Sequence, residues 1–373
     1  NGGRATGDKP GKPGPTFRFD QLKANQPTRF ANFLDQLGTD DRPALYFLHI
    51  LLPHQPWKYL PSGVQYSYPP INFGYDRKVG WTKQAPPVQL GQQRHLLQLA
   101  YTDRLVGEIV QRLKTQGLFD KALVIMTADH GISFTPGQAQ RTLQDRNAHE
   151  LMWVPLFIKS PHQRSAKIDD RNWGQVDLLP TIADILKVKV PWRVDGVSAM
   201  APGRSRRMKF FYNKPGQRLE VDGPQNQALA LRGVTQRIAR PEDGTVGLFE
   251  TPPFADLVGR RPEAVGLAGS SGLAARLNDP EHLQDVDPNG GNVPALISGA
   301  LTGTASDAPV AVAVAVNGII GAVGLTFTQD DTSQTFATVV PDSLFQPGTN
   351  HVRLYQVERT PAGPRLHPVA VAA

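Results

Sequence analysis

The sequence predicts an α/β protein: a mostly parallel sheet with flanking helices, followed by a β-rich C-terminal region. Three observations carry this. Two continuous apolar runs, residues 43–52 and 122–128, bracket an amphipathic helix. Strands buried on both faces of a parallel sheet read as such unbroken runs, joined by crossover helices. The second run ends on Asp129-His130-Gly131, at the C-terminal strand edge where open α/β sheets collect ligands. Residues 308–370 then give short apolar runs separated by turn residues, the pattern of an antiparallel sheet or small sandwich.

The elements follow in order. Residues 1–16 are rich in Gly, Pro and Lys and read as a disordered linker. Residues 17–40 carry a weak helical pattern ending near Gly38. Residues 43–52 read as a buried strand with His49 inside it, a satisfied core histidine, and the strand ends at Pro53-His54-Gln55-Pro56-Trp57. Residues 58–90, rich in Tyr, Pro and Gly, read as an excursion over the surface. Residues 92–116 form a helix whose stripe is Leu96, Leu99, Val106, Val110 and Leu113. Asp103 falls on that stripe and is expected to pair with a neighbouring backbone or basic group, as a buried charge requires. Gly117 closes the helix. The strand to Ala128, a polar loop over 131–150, a short strand at 153–159 and a helix over 177–186 complete the first region. Beyond about residue 205 the long stripes vanish, and strands are expected near 310–316, 319–327, 335–340 and 351–357. Asn317-Gly318, between two apolar runs, favours a β-hairpin there over a membrane-spanning helix. The expected organisation is therefore a linker (1–16), an α/β domain (17–205) and a β-rich accessory domain (206–373).

Composition excludes several classes. The 373 residues include no cysteine, which removes disulfides, thiolate catalysis and cysteine zinc sites. Net charge is +7, but the basic residues are scattered without aromatic interleaving, so nucleic acid is not an expected partner. An adjacent carboxylate and imidazole at a strand tip, Asp129 and His130, suit a divalent cation that holds an oxyanion.

Six segments, in order, resemble one family. They are residues 48–57 with His54, Tyr101–Gly107, Val124–Gly131, Val154–Pro161, Gln175–Ile182 and Val194–Ser198. Together they resemble the sulfatase domain of the alkaline-phosphatase-like superfamily, and are similar also to its lipoteichoic acid synthase branch. The resemblance implies an alkaline-phosphatase-like fold and a metal-dependent hydrolase or phosphotransferase acting on a sulfate or phosphate ester. It implies Asp129 and His130 as ligands of a divalent cation (Ca, Mg or Mn), and His54 as anion contact or proton donor. Arg141 and Arg146, in the loop after the metal element, become substrate-binding candidates, since guanidinium forks suit tetrahedral oxyanions. His149 and Glu150 stand nearby with no assigned role.

The family's nucleophile, within Cys/Ser-x-Pro-x-Arg or a Thr in the synthase branch, lies N-terminal to these segments. This chain has neither a Cys nor a Ser-x-Pro-x-Arg. The expectation is thus the C-terminal part of a catalytic domain, with the N-terminal part missing. The expected substrate is an anionic small molecule, glycan or lipid. The expected setting is the outer face of a bacterial membrane, anchored through an absent N-terminal region, or secretion. The alternative is a catalytically inactive pseudoenzyme or an anion- or glycan-binding module.

Overall fold

The computed structural model describes residues 25–38, 43–66, 73–76, 78–202, 206–214, 217–237, 246–303, 308–328 and 334–372. The expected linker, residues 1–16, lies outside them, as do residues 17–24 of the expected first helix.

The first region opens with helix α1 (Gln26–Gln36), with Pro27 in its first turn. Three two-residue strands follow: β1 (Gln65–Tyr66), β2 (Tyr75–Asp76) and β3 (Gly80–Trp81). Helix α2 runs from Ala85 to Thr115, seven residues earlier than its apolar periodicity suggests. Its start carries Pro86 and Pro87, which the first turn tolerates because those N–H groups have no intrahelical acceptor. Gly117, at φ +66°, ends it as expected. Strand β4 (Val124–Thr127), the short helix α3 (Ala148–Leu151), strand β5 (Leu156–Lys159) and helix α4 (Leu178–Leu186) complete the region.

Here the structure departs from the expected parallel sheet. β4 pairs with β5 antiparallel, Val124 opposite Lys159 and Thr127 opposite Leu156. Residues 43–50 are in no strand or helix, and Leu45 and Phe47 are 91% and 81% exposed. An apolar run becomes a buried strand only when a neighbour supplies ladder partners and a covering face; no strand among the described residues does so. His49 is exposed for the same reason. Among the described residues the parallel pairings are β1 with β9 (Asn292–Val293), and β17 (Ala370–Ala372) with β8 (Ala274–Leu277).

The C-terminal region is β-rich, as the turn spacing requires. Strands β6 (Met208–Lys214) and β7 (Gln217–Asp222) form a hairpin, followed by helix α5 (Gly223–Arg237). Strands β10 (Leu296–Thr302), β11 (Ala311–Val316), β12 (Ile319–Leu325), β13 (Phe327–Thr328), β14 (Gln334–Val339), β15 (Val352–Thr360) and β16 (Gly363–Pro368) build two sheets with β8 and β17. The sheet orders are β13-β14-β10-β8-β17 and β12-β11-β15-β16. The β11–β12 hairpin turns on Asn317 and Gly318, at φ +49° and +85°. β11 is buried along its whole length: Val312, Val314 and Val316 face one core, Ala311, Ala313 and Ala315 another.

The main core is continuous between the two regions. Leu60, Tyr66, Phe73, Leu90 and Leu97 pack into the same cluster as Ile297, Val314, Phe336 and Val339. The Gln84 side chain adds a two-way amide bond to Thr328, donating to its carbonyl (2.8 Å) and accepting from its N–H (2.9 Å). Residues 58–66 and 73–81 are therefore core-forming rather than a surface excursion: Tyr59, Leu60, Tyr66, Phe73 and Trp81 are all buried.

Of the expected stripe on helix α2, Leu113 is buried and Leu96, Val106 and Val110 are half-buried, but the face that is buried most fully is another one. Leu90, Arg94, Leu97, Gln98, Tyr101 and Leu105 are buried, whereas Leu99 is 41% exposed and Asp103 is at the surface. The buried face is rich in polar side chains whose groups are bonded inside the protein, as burial of such groups demands. Asp103, being exposed, needs no partner.

Candidate functional site

Three sequence-selected side chains meet. The Arg141 guanidinium bridges two histidines: Nη1 lies 3.2 Å from His54 Nε2, and Nη2 contacts His130 Nε2. The other ring nitrogen of each histidine faces a backbone carbonyl, Gln55 O for His54 Nδ1 and Gly131 O for His130 Nδ1 (2.7 Å for the latter). Carbonyls only accept, so both Nδ1 atoms carry the proton. Both Nε2 atoms then present lone pairs, and Arg141 donates to each. The arrangement is two neutral imidazoles gripping one cationic fork.

The DHG turn follows from its residues. Asp129 Oδ1 accepts the His130 N–H (2.9 Å), closing the turn as β4 ends. The Gly131 N–H donates to Leu151 O (2.8 Å), and a Cβ at position 131 would run into the Glu150 carbonyl oxygen. Glycine is what lets α3 approach so closely. Glu150 Oε2 accepts from Ser133 Oγ (2.5 Å) and Thr135 Oγ1 (3.0 Å), tying the loop to α3. We expect Gly131→Ala to displace α3 and cost about 2 kcal/mol of stability through overpacking, readable by chemical denaturation; an unchanged midpoint would show that the loop gives way freely.

An aromatic wedge holds the two loops in register. Trp57 and Trp81 are fully buried and near parallel, with centroids 6.5 Å apart. Phe134 closes against both, at 5.6 and 5.8 Å. The Trp57 indole N–H donates to Pro53 O (3.1 Å), beside His54. The Trp81 indole N–H donates to Ser133 O (3.0 Å), and its backbone N–H to Gln138 O (2.8 Å). One indole thus anchors the His54 loop and the other the loop that returns as Arg141. Beneath them, burial pushes the His95 imidazole pKa down to about 4, against the opposing effect of a hydrogen bond that the ring donates to the Pro53 backbone carbonyl.

The remaining candidates lie apart from this cluster or at its margin. Asp129 is close to His130 (3.6 Å between Oδ2 and Nε2), but its side chain is 78% exposed. Arg146 is exposed and donates to Gln144 Oε1 (3.2 Å). As to a cation, no group of three or more His, Asp and Glu able to hold a metal occurs among the described residues. His130 Nε2 is already facing a guanidinium. Two protein donors, one engaged elsewhere, do not by themselves make the six- to eight-oxygen shell of Ca²⁺ or the octahedron of Mg²⁺.

Sequence reasoning missed the wedge and the polar face of α2. The signal was present: Arg94, Gln98 and Tyr101 recur at i, i+4 and i+7, one face of a helix, and only their polarity hid it.

Residues 10–188 match the family model described as Sulfatase. The chain is 24% identical over 170 residues to an endo-4-O-sulfatase of Bacteroides thetaiotaomicron, covering 43% of this chain and 31% of that protein. It is 28% identical over 184 residues to N-sulphoglucosamine sulphohydrolase of Homo sapiens, covering 41% and 33%. It is 33% identical over 95 residues to lipoteichoic acid synthase 2 of Bacillus subtilis, covering 24% and 14%. Residues 10–188 are a sulfatase-family segment, within the alkaline-phosphatase-like superfamily. The chain spans between 14% and 33% of the length of these relatives. Among the described residues no helix is long and apolar enough to cross a membrane.

Proposed function

We propose that this chain supplies the anion-facing part of a sulfatase-like, metal-dependent hydrolase or phosphotransferase whose substrate is a sulfate or phosphate ester. The observation that supports it most is the Arg141 fork held between His54 and His130. A guanidinium recognises a tetrahedral oxyanion through two parallel N–H bonds. An arriving anion takes those donors over, and each freed Nε2 can then accept a proton and become a donor itself. His54, at the mouth of its loop, is placed to hand that proton to a leaving oxygen.

Asp129 and His130 would belong to a divalent cation site completed by further donors; the cation would polarise the ester and stabilise charge developing on it. The nucleophile would come from a segment preceding the matched region. The exposure of Leu45 and Phe47, in a stretch that belongs to no strand or helix among the described residues, fits further sheet covering this face. The substrate class is an anionic glycan or lipid. The bacterial relatives favour the cell envelope or secretion, with anchoring through an N-terminal membrane region.

Titration with inorganic sulfate and phosphate at low ionic strength tests the reading. Wild type should bind, and Arg141→Ala should weaken binding at least about tenfold, the loss of a charge-assisted pair. Wild-type affinity in Arg141→Ala and His54→Ala would sink it. A second reading is an anion- or glycan-binding module without turnover. Anion binding without aryl-sulfate or phosphodiester turnover in added Ca, Mg or Mn would select it.

A further inference from the structure

We infer that Gln98 is a positioning residue for His54, holding the imidazole so that its Nε2 meets the anion. The inference rests on reading His54 as an anion-facing group. Gln98 lies on α2, far from His54 in sequence, and is 0% exposed. Its Nε2 donates to the His54 carbonyl (2.8 Å). Its Oε1 accepts from the backbone N–H of Lys58 (2.9 Å) and of Tyr59 (3.3 Å). One amide therefore clasps both ends of the His54–Tyr59 loop, using both oxygen lone pairs and one of its two N–H donors.

One turn away, Arg94 Nη2 donates to Trp57 O (2.8 Å) and Nε to Tyr66 Oη (3.2 Å), so the same helix face fixes the loop's middle. The His54 N–H donates to Leu51 O (2.6 Å). His54 is thus pinned at its N–H, its carbonyl and its Nδ1, leaving the Nε2 edge turned to Arg141. The clasp acts through backbone and touches no substrate. The hydrogen bonds of the Gln98 amide run to main chain at His54, Lys58 and Tyr59, so it fixes the backbone from which the His54 ring projects.

The test is long-range ¹H–¹⁵N spectroscopy of the histidine rings at pH 7.5, with sulfate titration, on the full chain. In wild type, His54 should show the Nδ1-protonated tautomer. Gln98→Met keeps the volume and removes all three bonds. It should move the His54 ring signals toward those of an exposed imidazole, leave the His130 signals in place, and weaken inorganic sulfate binding about tenfold. Should the Met variant not fold, Gln98→Leu likewise removes the donor to His54 and places no ionisable group in the interior. It should give the same change at His54. Wild-type His54 signals in a folded variant overturn the inference. The ring readout needs no ligand, so it stands apart from the functional reading. That reading fails if His54→Ala binds sulfate like wild type; this inference fails if His54 responds to ligand yet ignores position 98.

Discussion

Trp57→Ala is expected to destabilise the protein by about 4 kcal/mol, in the range for emptying a buried aromatic site. Trp57 is 1% exposed and contacts Trp81, Phe134 and His95, whose ring centroids lie 6.5, 5.6 and 5.9 Å away. Removal leaves a cavity bounded by rings that cannot collapse, because Trp81 is itself bonded to Ser133 and Gln138. Trp57→Phe separates the contributions. It keeps most of the volume, forfeits the N–H bond to Pro53 and should cost about 1 kcal/mol beyond the smaller packing loss. Urea denaturation followed by circular dichroism measures both. The alanine variant should also lose sulfate affinity, since the wedge helps to hold the His54 loop against the loop bearing Arg141. A loss under about 1 kcal/mol would mean that the two loops are held by something other than this stack.

What could be read in the sequence, and what could not, divides along a physical line. Asn317-Gly318 was legible because a two-residue hairpin of this type needs positive φ at both positions, and these residues tolerate it. The DHG turn was legible because its chemistry and its place after an apolar run agree. His54 and Arg141 were each selected singly, one from the resemblance and one from guanidinium chemistry, and the fold brings them together. Their meeting was not legible, for it depends on Trp81 bonding to Ser133 and Gln138 across more than fifty residues. Nor was the buried face of α2. Periodicity counts apolar residues, and this helix spends its interior face on Arg94 and Gln98, satisfied by loop carbonyls and amides. The run at 43–52 misled in the opposite sense. Its apolarity is real, but whether an apolar segment is buried depends on what lies beside it, which no local pattern contains.

Acid should destabilise the protein through His95. The ring sits between Trp57 and Phe134, with Nδ1 sealed from solvent, and burial lowers its pKa from 6.5 to about 4. As pH falls through 6.5, the unfolded chain takes up a proton at this position and the folded chain does not. The unfolded state is therefore favoured, and stability declines with falling pH until about 4, where the folded state also protonates and the loss levels off. A difference of this size corresponds to about 3 kcal/mol, at up to about 1.4 kcal/mol per pH unit. His95→Phe places an uncharged ring in the same aromatic setting and should abolish that share of the slope between pH 6.5 and 4. The comparison is wild type minus variant, because the other histidines and the carboxylates titrate in both. Denaturant midpoints at intervals across this range supply the measurement, and parallel curves for the two proteins would refute the assignment. His95 lies under Pro53, the residue before His54. Protonating it forces charge beneath the loop that aims the catalytic candidate, so sulfate binding should fall with stability in wild type and persist to lower pH in His95→Phe.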